Sequence, residues 1–342
     1  MEHKLTKGPL LNKHGHLNQA GYATTLIKTY NQKDIKASKL RIKEWDYYYL
    51  QSKDFAIALT IADNGYMGLL SASLINFKEP SYITKSKTII LPLGKLNLPA
   101  SSKEGDCIVK KKNLYFAFIN KGKERHLNVT FPKFKKNNTL SVDVILDQEP
   151  QDSMVIATPF KEKKTAFYYN QKILGMRVKG SISIGEETQT FSKNALGLLD
   201  WGRGVWTYKN TWYWGAGHGY INNKIFAFNI GYGFGDTSKA SENMLFYDGK
   251  AHKLKDITFN IPKDTKHKYQ YLAPWTFTSS DQRFEMQFNP ILDRKDYISL
   301  GVLKSDQHQV FGILKGKAIL DDGTTLELDN FIGFAEHIQN KW

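Results

Sequence analysis

The segment from Leu199 to Tyr208 carries the densest set of side chains able to do chemistry in this sequence. It holds Asp200 and, three residues later, Arg203, together with Trp201, Trp206 and two glycines. A carboxyl buried among indole rings has a raised pKa, which suits a general acid. The planar fork of an arginine binds carboxylate or phosphate groups. The segment therefore predicts a cleft with Asp200 and Arg203 as catalytic candidates, and the alternative is a salt bridge that closes a sheet.

A glycine-rich stretch, residues 231–235, precedes another acidic candidate, Glu242. No Gly-Lys-Ser/Thr follows it and its flanks read as strands, so the glycines indicate a bend or strand end rather than a nucleotide-binding loop. Glu242 would face a cleft as a catalytic acid or anchor its loop by hydrogen bonds. Tyr232, within the glycine-rich stretch, and Asn243, next to Glu242, are candidate ligand-binding residues.

Asp63 and His218 complete the catalytic candidates. Asp63 precedes the turn signal Asn64-Gly65, so it is either a turn residue or a cleft carboxylate with Tyr66 beside the ligand. His218 lies among glycines and aromatic residues, where an imidazole can exchange protons near neutral pH or simply end a strand. The sequence has no His-Glu-x-x-His spacing, so we expect no metal ion and no other cofactor.

Aromatic side chains open two further segments of the chain. Residues 45–48 (Trp-Asp-Tyr-Tyr) precede a polar tip and an apolar strand, and residues 212–214 (Trp-Tyr-Trp) precede the tip 222–224 and the strand 225–230. Tryptophan gives a pocket wall rigid apolar area. The remaining candidate ligand-binding residues are therefore Trp45, Tyr47, Trp201, Trp206, Trp212 and Trp214.

The elements that position these residues are short strands, and part of the chain is repeated. Residues 178–206 align without a gap to residues 314–342, matching Asn194, Gly197, Asp200 and Trp206 with Asn330, Gly333, Glu336 and Trp342. Such a repeat predicts two copies of one supersecondary unit. The shared acid favours an architectural role for Asp200, whereas Arg203 becomes Gln339 in the second copy and is the position where we look first for function.

We predict an all-β fold of two tandem units, each a β-barrel or a strongly curved sheet. Residues 1–40 form an N-terminal arm, residues 41–206 the first unit and residues 207–342 the second. Asn18 can cap a helix at residues 20–27 of the arm.

Composition limits the class of protein. A hydrophobic fraction of 41% and an aromatic fraction of 13% in 342 residues indicate a folded chain. The net charge of +15 is spread over short lysine clusters, which favours a solvated surface and leaves contact with an anionic membrane or ligand open. The sequence has no nucleic-acid-binding motif, so nucleic acid is an unlikely partner. A single cysteine, no signal peptide and no run of ~20 apolar residues predict a cytoplasmic protein without a transmembrane segment.

Residues 198–206, 234–236, 242–243 and 246–249 resemble a mostly bacterial family, the domain of unknown function 2804, and the likeness runs nearly end to end. That family implies no activity. More remotely, the two-unit design is similar to the double lipocalin-like fold of carotenoid hydratases and related cyclase proteins, in which a cleft holds a hydrophobic ligand and carboxylates act as acids.

Three functions remain open at this point. The first is a metal-independent acid–base enzyme, such as a hydratase, lyase, isomerase or glycoside-acting enzyme, on a small apolar or sugar-like ligand. The second is a non-catalytic carrier of a lipid, isoprenoid or sugar. In the third, the motifs only close the two sheets.

Overall fold

A computed structural model describes residues 2–147, 150–300 and 303–341. The strands up to the end of the first repeat copy are β1 (Gly8–Pro9), β2 (Gly21–Ala23), β3 (Lys28–Thr29), β4 (Ile42–Gln51), β5 (Phe55–Asp63), β6 (Met67–Asn76), β7 (Ser81–Ile90), β8 (Cys107–Lys111), β9 (Leu114–Asn120), β10 (Glu124–Lys135), β11 (Asn138–Asp147), β12 (Met154–Phe160), β13 (Lys163–Ile184), β14 (Glu187–Thr190) and β15 (Leu196–Val205). The remaining strands are β16 (Lys209–Ile221), β17 (Lys224–Tyr232), β18 (Met244–Tyr247), β19 (Lys250–Lys253), β20 (Ile257–Asn260), β21 (Trp275–Ser279), β22 (Phe284–Leu300), β23 (Leu303–Ile319) and β24 (Thr325–Lys341).

Alternation of apolar and polar residues explains why these segments form half-buried strands. On β10, Leu127, Val129 and Phe131 are buried while the residues between them are partly exposed. Successive side chains of a strand point to opposite faces, and β-branched and aromatic residues pack well on that surface.

The chain forms two large antiparallel sheets with the same strand order. In the N-terminal sheet, β15 lies between β4 and β13, within the order β7-β6-β5-β4-β15-β13-β11-β10-β9-β8. In the C-terminal sheet, β24 lies between β16 and β23, within the order β19-β18-β17-β16-β24-β23-β22-β21-β20. Each sheet therefore curls so that its last strand pairs with an early one. This confirms the prediction of an all-β fold with two tandem lipocalin-like units.

The sequence repeat corresponds to equivalent hairpins, β13–β15 and β23–β24. The predicted boundary after Trp206 stays a prediction, and it lies between Val205 at the end of β15 and Lys209 at the start of β16. Trp342, which the sequence matches with Trp206, lies outside the described residues.

The predicted helix at residues 20–27 is wrong. Gly21–Ala23 is strand β2, which pairs with Val155–Ala157 of β12, and the Asn18 side chain donates to the Pro9 carbonyl oxygen (3.0 Å). The edge of β12 satisfies the backbone groups of this segment, whose threonines and isoleucine are poor helix formers. Within the described ranges the chain has two short 3-10 helices, Gln32–Asp34 and Lys39–Arg41, and no α-helix.

Aromatic side chains pack the two sheets against each other. The Tyr49 ring of β4 stacks on Phe311 of β23 with ring centroids 5.8 Å apart, and it meets Phe334 of β24 edge-on at 5.3 Å. These rings form a packed core in this part of the inter-sheet layer, and polar groups beside it need partners. No helix of the described residues is long and apolar enough to cross a bilayer.

Candidate functional site

Buried and half-buried polar and aromatic side chains from both sheets meet in this inter-sheet layer, and we call them the inter-sheet cluster. Its members are Trp45, Tyr47, Tyr168, Asn170, Lys172 and Asp200 on the N-terminal side, and Trp212, Trp214, Asn229, Glu242, Gln309 and Glu336 on the C-terminal side. Most are strand residues, whereas Glu242 comes from the loop between β17 and β18.

Lys172 is the centre of the cluster. Its side chain on β13 is 3% exposed, and Nζ lies 2.8 Å from Glu242 Oε2 and 4.0 Å from Asp200 Oδ1. The ammonium also donates to Asn170 Oδ1 (2.9 Å) and Tyr168 OH (3.2 Å). A buried charge is tolerated when it is paired and hydrogen-bonded, and these contacts supply both conditions. The loop acid and the strand acid thus share one cation.

Asp200 of β15 accepts two hydrogen bonds besides its approach to Lys172. Asn170 Nδ2 donates to Oδ1 (2.5 Å) and Trp45 Nε1 donates to Oδ2 (3.1 Å). Burial raises the pKa of Asp200 above its ordinary value, although the charge of Lys172 and both hydrogen bonds favour the carboxylate. The nearby charge of Glu242 adds to the rise. Burial therefore favours the neutral form of Asp200, whereas its three partners favour the carboxylate.

Glu336 of β24 has a different set of partners. Gln309 Nε2 donates to Oε1 (2.6 Å) and Trp212 Nε1 donates to Oε2 (3.4 Å). Burial raises the pKa of Glu336 to about 7, against the charge of Arg294, and the charge of Asp200 adds to the rise. A carboxyl that titrates near neutrality can give a proton and take one back.

The two acids occupy equivalent positions in the two sheets. Trp45 pairs with Gly202 and donates to Asp200, two residues back along β15. Trp212 pairs with Ile338 and donates to Glu336, two residues back along β24. The repeat therefore includes the acid and its indole donor, although whether this arrangement is architectural or catalytic stays a prediction.

The strand neighbours of the two acids differ in charge. Lys172 pairs with Asp200 across β13 and β15, and Gln309 pairs with Glu336 across β23 and β24. One copy thus places an ammonium beside its acid, and the other places a neutral amide there. This difference separates the electrostatic environments of two otherwise equivalent carboxyls.

Aromatic rings form a continuous wall across the junction. Trp206 meets Trp45 edge-on at 5.3 Å and Trp212 at 5.8 Å between ring centroids. Phe234, in the loop after β17, meets Trp206 at 4.8 Å. A Cβ at Gly202 would overlap the Trp45 ring, so this glycine makes room for the indole that bonds Asp200.

Arg203 lies on the opposite face of β15 from Asp200, because side chains alternate along a strand. It is fully buried, its guanidinium lies 4.3 Å over the Trp201 ring, and Nη2 donates to Asp46 Oδ1 (2.9 Å). It also donates to the carbonyl oxygens of Trp45 (2.7 Å) and Pro99 (2.8 Å). The structure therefore does not bring Arg203 or Trp201 together with the acids of the cluster.

Asp63 and His218, two further catalytic candidates, also lie apart from the cluster. Asp63 is buried and accepts from the backbone N–H groups of Gly65 (3.0 Å) and Gly94 (2.9 Å). The His218 ring packs against Tyr49 at 5.9 Å, and burial lowers its pKa to about 3. His218 is therefore neutral at ordinary pH.

Three ligand-binding candidates have other contacts. Tyr66 lies under Lys43 Nζ (4.3 Å), Tyr232 stacks on Tyr213 (4.5 Å), and Asn243 accepts from Gly231 N (2.7 Å) and so fixes the loop next to Glu242. The candidates that do meet in or against the cluster are Asp200, Glu242, Trp45, Tyr47, Trp206, Trp212 and Trp214.

Four members of the cluster belong to none of the sequence motifs: Lys172, Tyr168, Asn170 and Gln309. A signal existed for two of them, because Asn170 and Lys172, with Gln171 between them, form a polar run between the apolar residues 166–169 and 173–176 of β13, and all three are buried. Because successive side chains of a strand point to opposite faces, a run of polar residues places at least one of them on a buried face.

The described part of the chain has no group of three or more His, Cys, Asp or Glu side chains placed to hold a metal ion.

Glu336→Gln should remove a pH dependence from the stability of the fold. The pKa of Glu336 is raised from 4.5 to about 7, so between these values the native state binds more protons than the unfolded state. Its stabilising contribution is present below the lower value and is lost as pH rises through the upper one, a change of about 3 kcal/mol at about 1.4 kcal/mol per pKa unit. Urea unfolding across this range should show wild type losing stability relative to the variant.

The matched control is Glu327→Gln, an exposed glutamate on the same strand. It should keep the wild-type pH profile. Parallel profiles for Glu336→Gln and wild type would contradict a raised pKa at Glu336.

One comparison with a solved structure agrees with this architecture. The solved structure of kievitone hydratase from Nectria haematococca matches with a TM-score of 0.54 and 9% sequence identity, over 92% of this chain and 96% of that one. A protein assigned as ATTH from Nitrosomonas europaea matches with a TM-score of 0.48 and 11% identity, over 92% and 98% of the two chains. Among curated protein sequences, none is significantly similar. At these identities the likeness to the hydratase establishes a common fold, and a reaction has to be argued from the side chains.

The family resemblance inferred from the motifs is confirmed along the whole chain. The family described as "Domain of unknown function (DUF2804)" matches residues 2–342, and the chain therefore belongs to the DUF2804 family.

Proposed function

We propose that the protein is a metal-independent acid–base enzyme that adds water to, or eliminates it from, a small and largely apolar substrate held between the two sheets. The observation that carries this proposal is the pair of equivalent carboxyls with unlike partners. Glu336 sits beside a neutral amide and titrates near neutrality, whereas Asp200 sits beside Lys172. Acid–base chemistry on one substrate needs two groups whose environments separate their pKa values.

In the proposed hydration, Glu336 is the general acid and Asp200 the general base. Glu336 gives its proton to one carbon of a polarised double bond, the water oxygen bonds to the other carbon, and Asp200 takes the second proton of that water. Exchange with solvent then returns both groups to their starting forms. Elimination is the same sequence reversed, with the two roles exchanged.

Lys172 supports the base in this scheme. Because the ammonium lies 4.0 Å from Asp200 and 2.8 Å from Glu242, it favours the ionised form of Asp200, which the reaction requires. Tyr168 OH accepts a hydrogen bond from Lys172 (3.2 Å), and burial with the charges of Glu242 and Asp200 raises its pKa well above the ordinary value. Its phenol therefore stays protonated.

The walls of the cluster indicate the class of substrate. Indole rings favour flat, apolar groups. In the described part of the chain, Gln309 Oε1 is buried and has no hydrogen-bond partner, so a hydroxyl or N–H of the substrate would satisfy it. Trp45, Tyr47 and Trp212 are only half-buried and mark the side from which a ligand would enter. The common fold with a protein named kievitone hydratase supports this reaction class by analogy.

The test begins with mass spectrometry of small molecules that copurify with the protein. The molecules are then incubated with wild type in isotopically labelled water, and products are examined for gain or loss of one water or for label exchange. Glu336→Gln should lower the exchange rate by at least about a hundredfold, the usual worth of a general acid. Glu327→Gln, on the same strand but exposed, should exchange at the wild-type rate.

A bound molecule that wild type returns unchanged and unlabelled would overturn the enzyme proposal. That outcome would favour the second candidate, a carrier, for which the ring wall of Trp45, Trp206 and Trp212 would supply most of the affinity. In a carrier, Trp212→Ala should release the molecule while Glu336→Gln retains it.

A further inference from the structure

Three aliphatic side chains are exposed together at the two end strands of the N-terminal sheet order. Ile90 at the end of β7 is 83% exposed, Leu91 after it is 51% exposed, and Ile108 on β8 is 49% exposed. They line one open groove of about 550 Å³. Single exposed aliphatic residues are ordinary, but adjacent ones in one groove mark an interaction surface. We call this surface the Ile90 groove, and it shares no residue with the inter-sheet cluster.

The backbone that displays these residues is strained and firmly held. Leu91 and Leu93 have φ values of 50° and 55°, a left-handed conformation that bulky residues rarely adopt. Leu91 N donates to the carbonyl oxygen of Tyr66 (3.0 Å) and Leu93 N to that of Gly65 (3.1 Å). Such strain persists where surrounding contacts determine the conformation, so the outward position of these side chains is part of the fold.

Asp63 is the anchor of this loop. Its buried carboxylate accepts from the backbone N–H groups of Gly94 (2.9 Å) and Leu96 (3.3 Å), and from Gly65 within its own turn (3.0 Å). One carboxylate therefore joins the β5–β6 turn to the segment after Ile90. Through these hydrogen bonds Asp63 fixes the loop that forms one side of the Ile90 groove.

The charge of the groove selects its partner. Lys95, Lys110 and Lys111 line it and are exposed. Asp106 is the acid of the lining, and it already accepts from the backbone N–H of Asn120 (2.9 Å). With a chain charge of +15, a second copy is repelled and an anionic surface is attracted. Aliphatic tips surrounded by lysines suit insertion at a lipid headgroup boundary with the ammonium groups at the phosphates.

We propose that the Ile90 groove docks the protein reversibly on an anionic lipid bilayer. Ile90, Leu91 and Ile108 enter the boundary between headgroups and acyl chains, while Lys95, Lys110 and Lys111 contact the anionic headgroups. Docking at this surface leaves the inter-sheet cluster unchanged, so it is independent of whether the protein is an enzyme or a carrier.

Vesicle flotation with the full chain tests this proposal. Wild type should float with vesicles of phosphatidylcholine and phosphatidylserine at low salt, and should not float with phosphatidylcholine alone. Lys110→Gln with Lys111→Gln should weaken partitioning about thirtyfold, since each lysine at an anionic surface is worth about fivefold. Ile90→Ser with Ile108→Ser should weaken it by about tenfold through lost apolar insertion. These side chains are exposed, so the melting temperatures should not change.

Matched controls separate the groove from general charge and hydrophobicity. Lys163→Gln with Lys164→Gln removes two exposed lysines elsewhere, and Leu272→Ser with Ile298→Ser removes two exposed aliphatic residues elsewhere, 61% and 41% exposed. Both controls should float like wild type. Equal loss in groove and control variants, failure of wild type to float, or groove-dependent binding to poly-glutamate without binding to vesicles would overturn the proposal, the last in favour of an acidic polypeptide.

Discussion

Arg203→Ala should destabilise the protein by about 3–5 kcal/mol, the usual cost of removing one partner of a buried ion pair. The guanidinium is fully buried and bonds Asp46 Oδ1, so its removal leaves a buried carboxylate without its cation. The carbonyl oxygens of Trp45 and Pro99 lose their donor as well. Thermal and urea unfolding, followed by tryptophan fluorescence and circular dichroism, will measure the loss.

Two further variants sharpen this result. Arg203→Lys keeps the charge but cannot reproduce the planar fork, so it should lose a substantial part of the same stability. Arg177→Ala, a half-buried arginine on β13, should change the unfolding free energy far less. An unchanged melting temperature for Arg203→Ala would contradict the structural role and would return Arg203 to the list of functional candidates.

Lys172→Met should cost about 3–5 kcal/mol at neutral and alkaline pH, and clearly less in acid. Lys172 lowers the pKa of Asp200 against the effect of burial, so without it that pKa is higher still. The folded state then binds more protons than the unfolded state over a wider range of pH, and stability falls as pH rises through that range. Below it Asp200 is neutral and needs no counter-charge. Unfolding free energies measured over a pH series will show this slope.

Lys179→Met is the control for Lys172→Met, because Lys179 lies on the same strand but its side chain is 69% exposed. Exposed ion pairs contribute about 1 kcal/mol or less, so this variant should remain close to wild type at every pH. A loss at Lys172 that does not vary with pH would mean that packing of the lysine stem, rather than its charge, stabilises the cluster.

The fold was predictable because the two copies of the repeat still share residues at matching positions of the sequence. Lys-Gly, Asn, Gly and an acid recur at the same spacing in residues 178–206 and 314–342, and these are the hairpins in which the last strand of each sheet pairs with its neighbour. The helix at residues 20–27 was mispredicted because the backbone of this segment pairs with β12, more than 130 residues away. Local capping signals do not report such a partner.

The site was predictable in part for a similar reason. Asp200 among tryptophans is unusual in composition and drew attention, but Lys172 resembles any surface lysine until its partner Glu242, 70 residues distant, is placed beside it. Arg203 was predicted to share a cleft with Asp200 because the two residues lie three positions apart among tryptophans and glycines. In a strand, residues three apart face opposite sides, and β15 is a strand throughout the motif.

The equivalence of Asp200 and Glu336 has a consequence for how such a site can arise. A symmetric dimer of one identical unit would place the same neighbour beside both acids, and the two carboxyls would titrate alike. Joining the units in one chain allows the neighbours to diverge, as Lys172 and Gln309 have done. Covalent fusion therefore allows the two equivalent carboxyls to take the unlike roles of proton donor and proton acceptor that the proposed reaction needs.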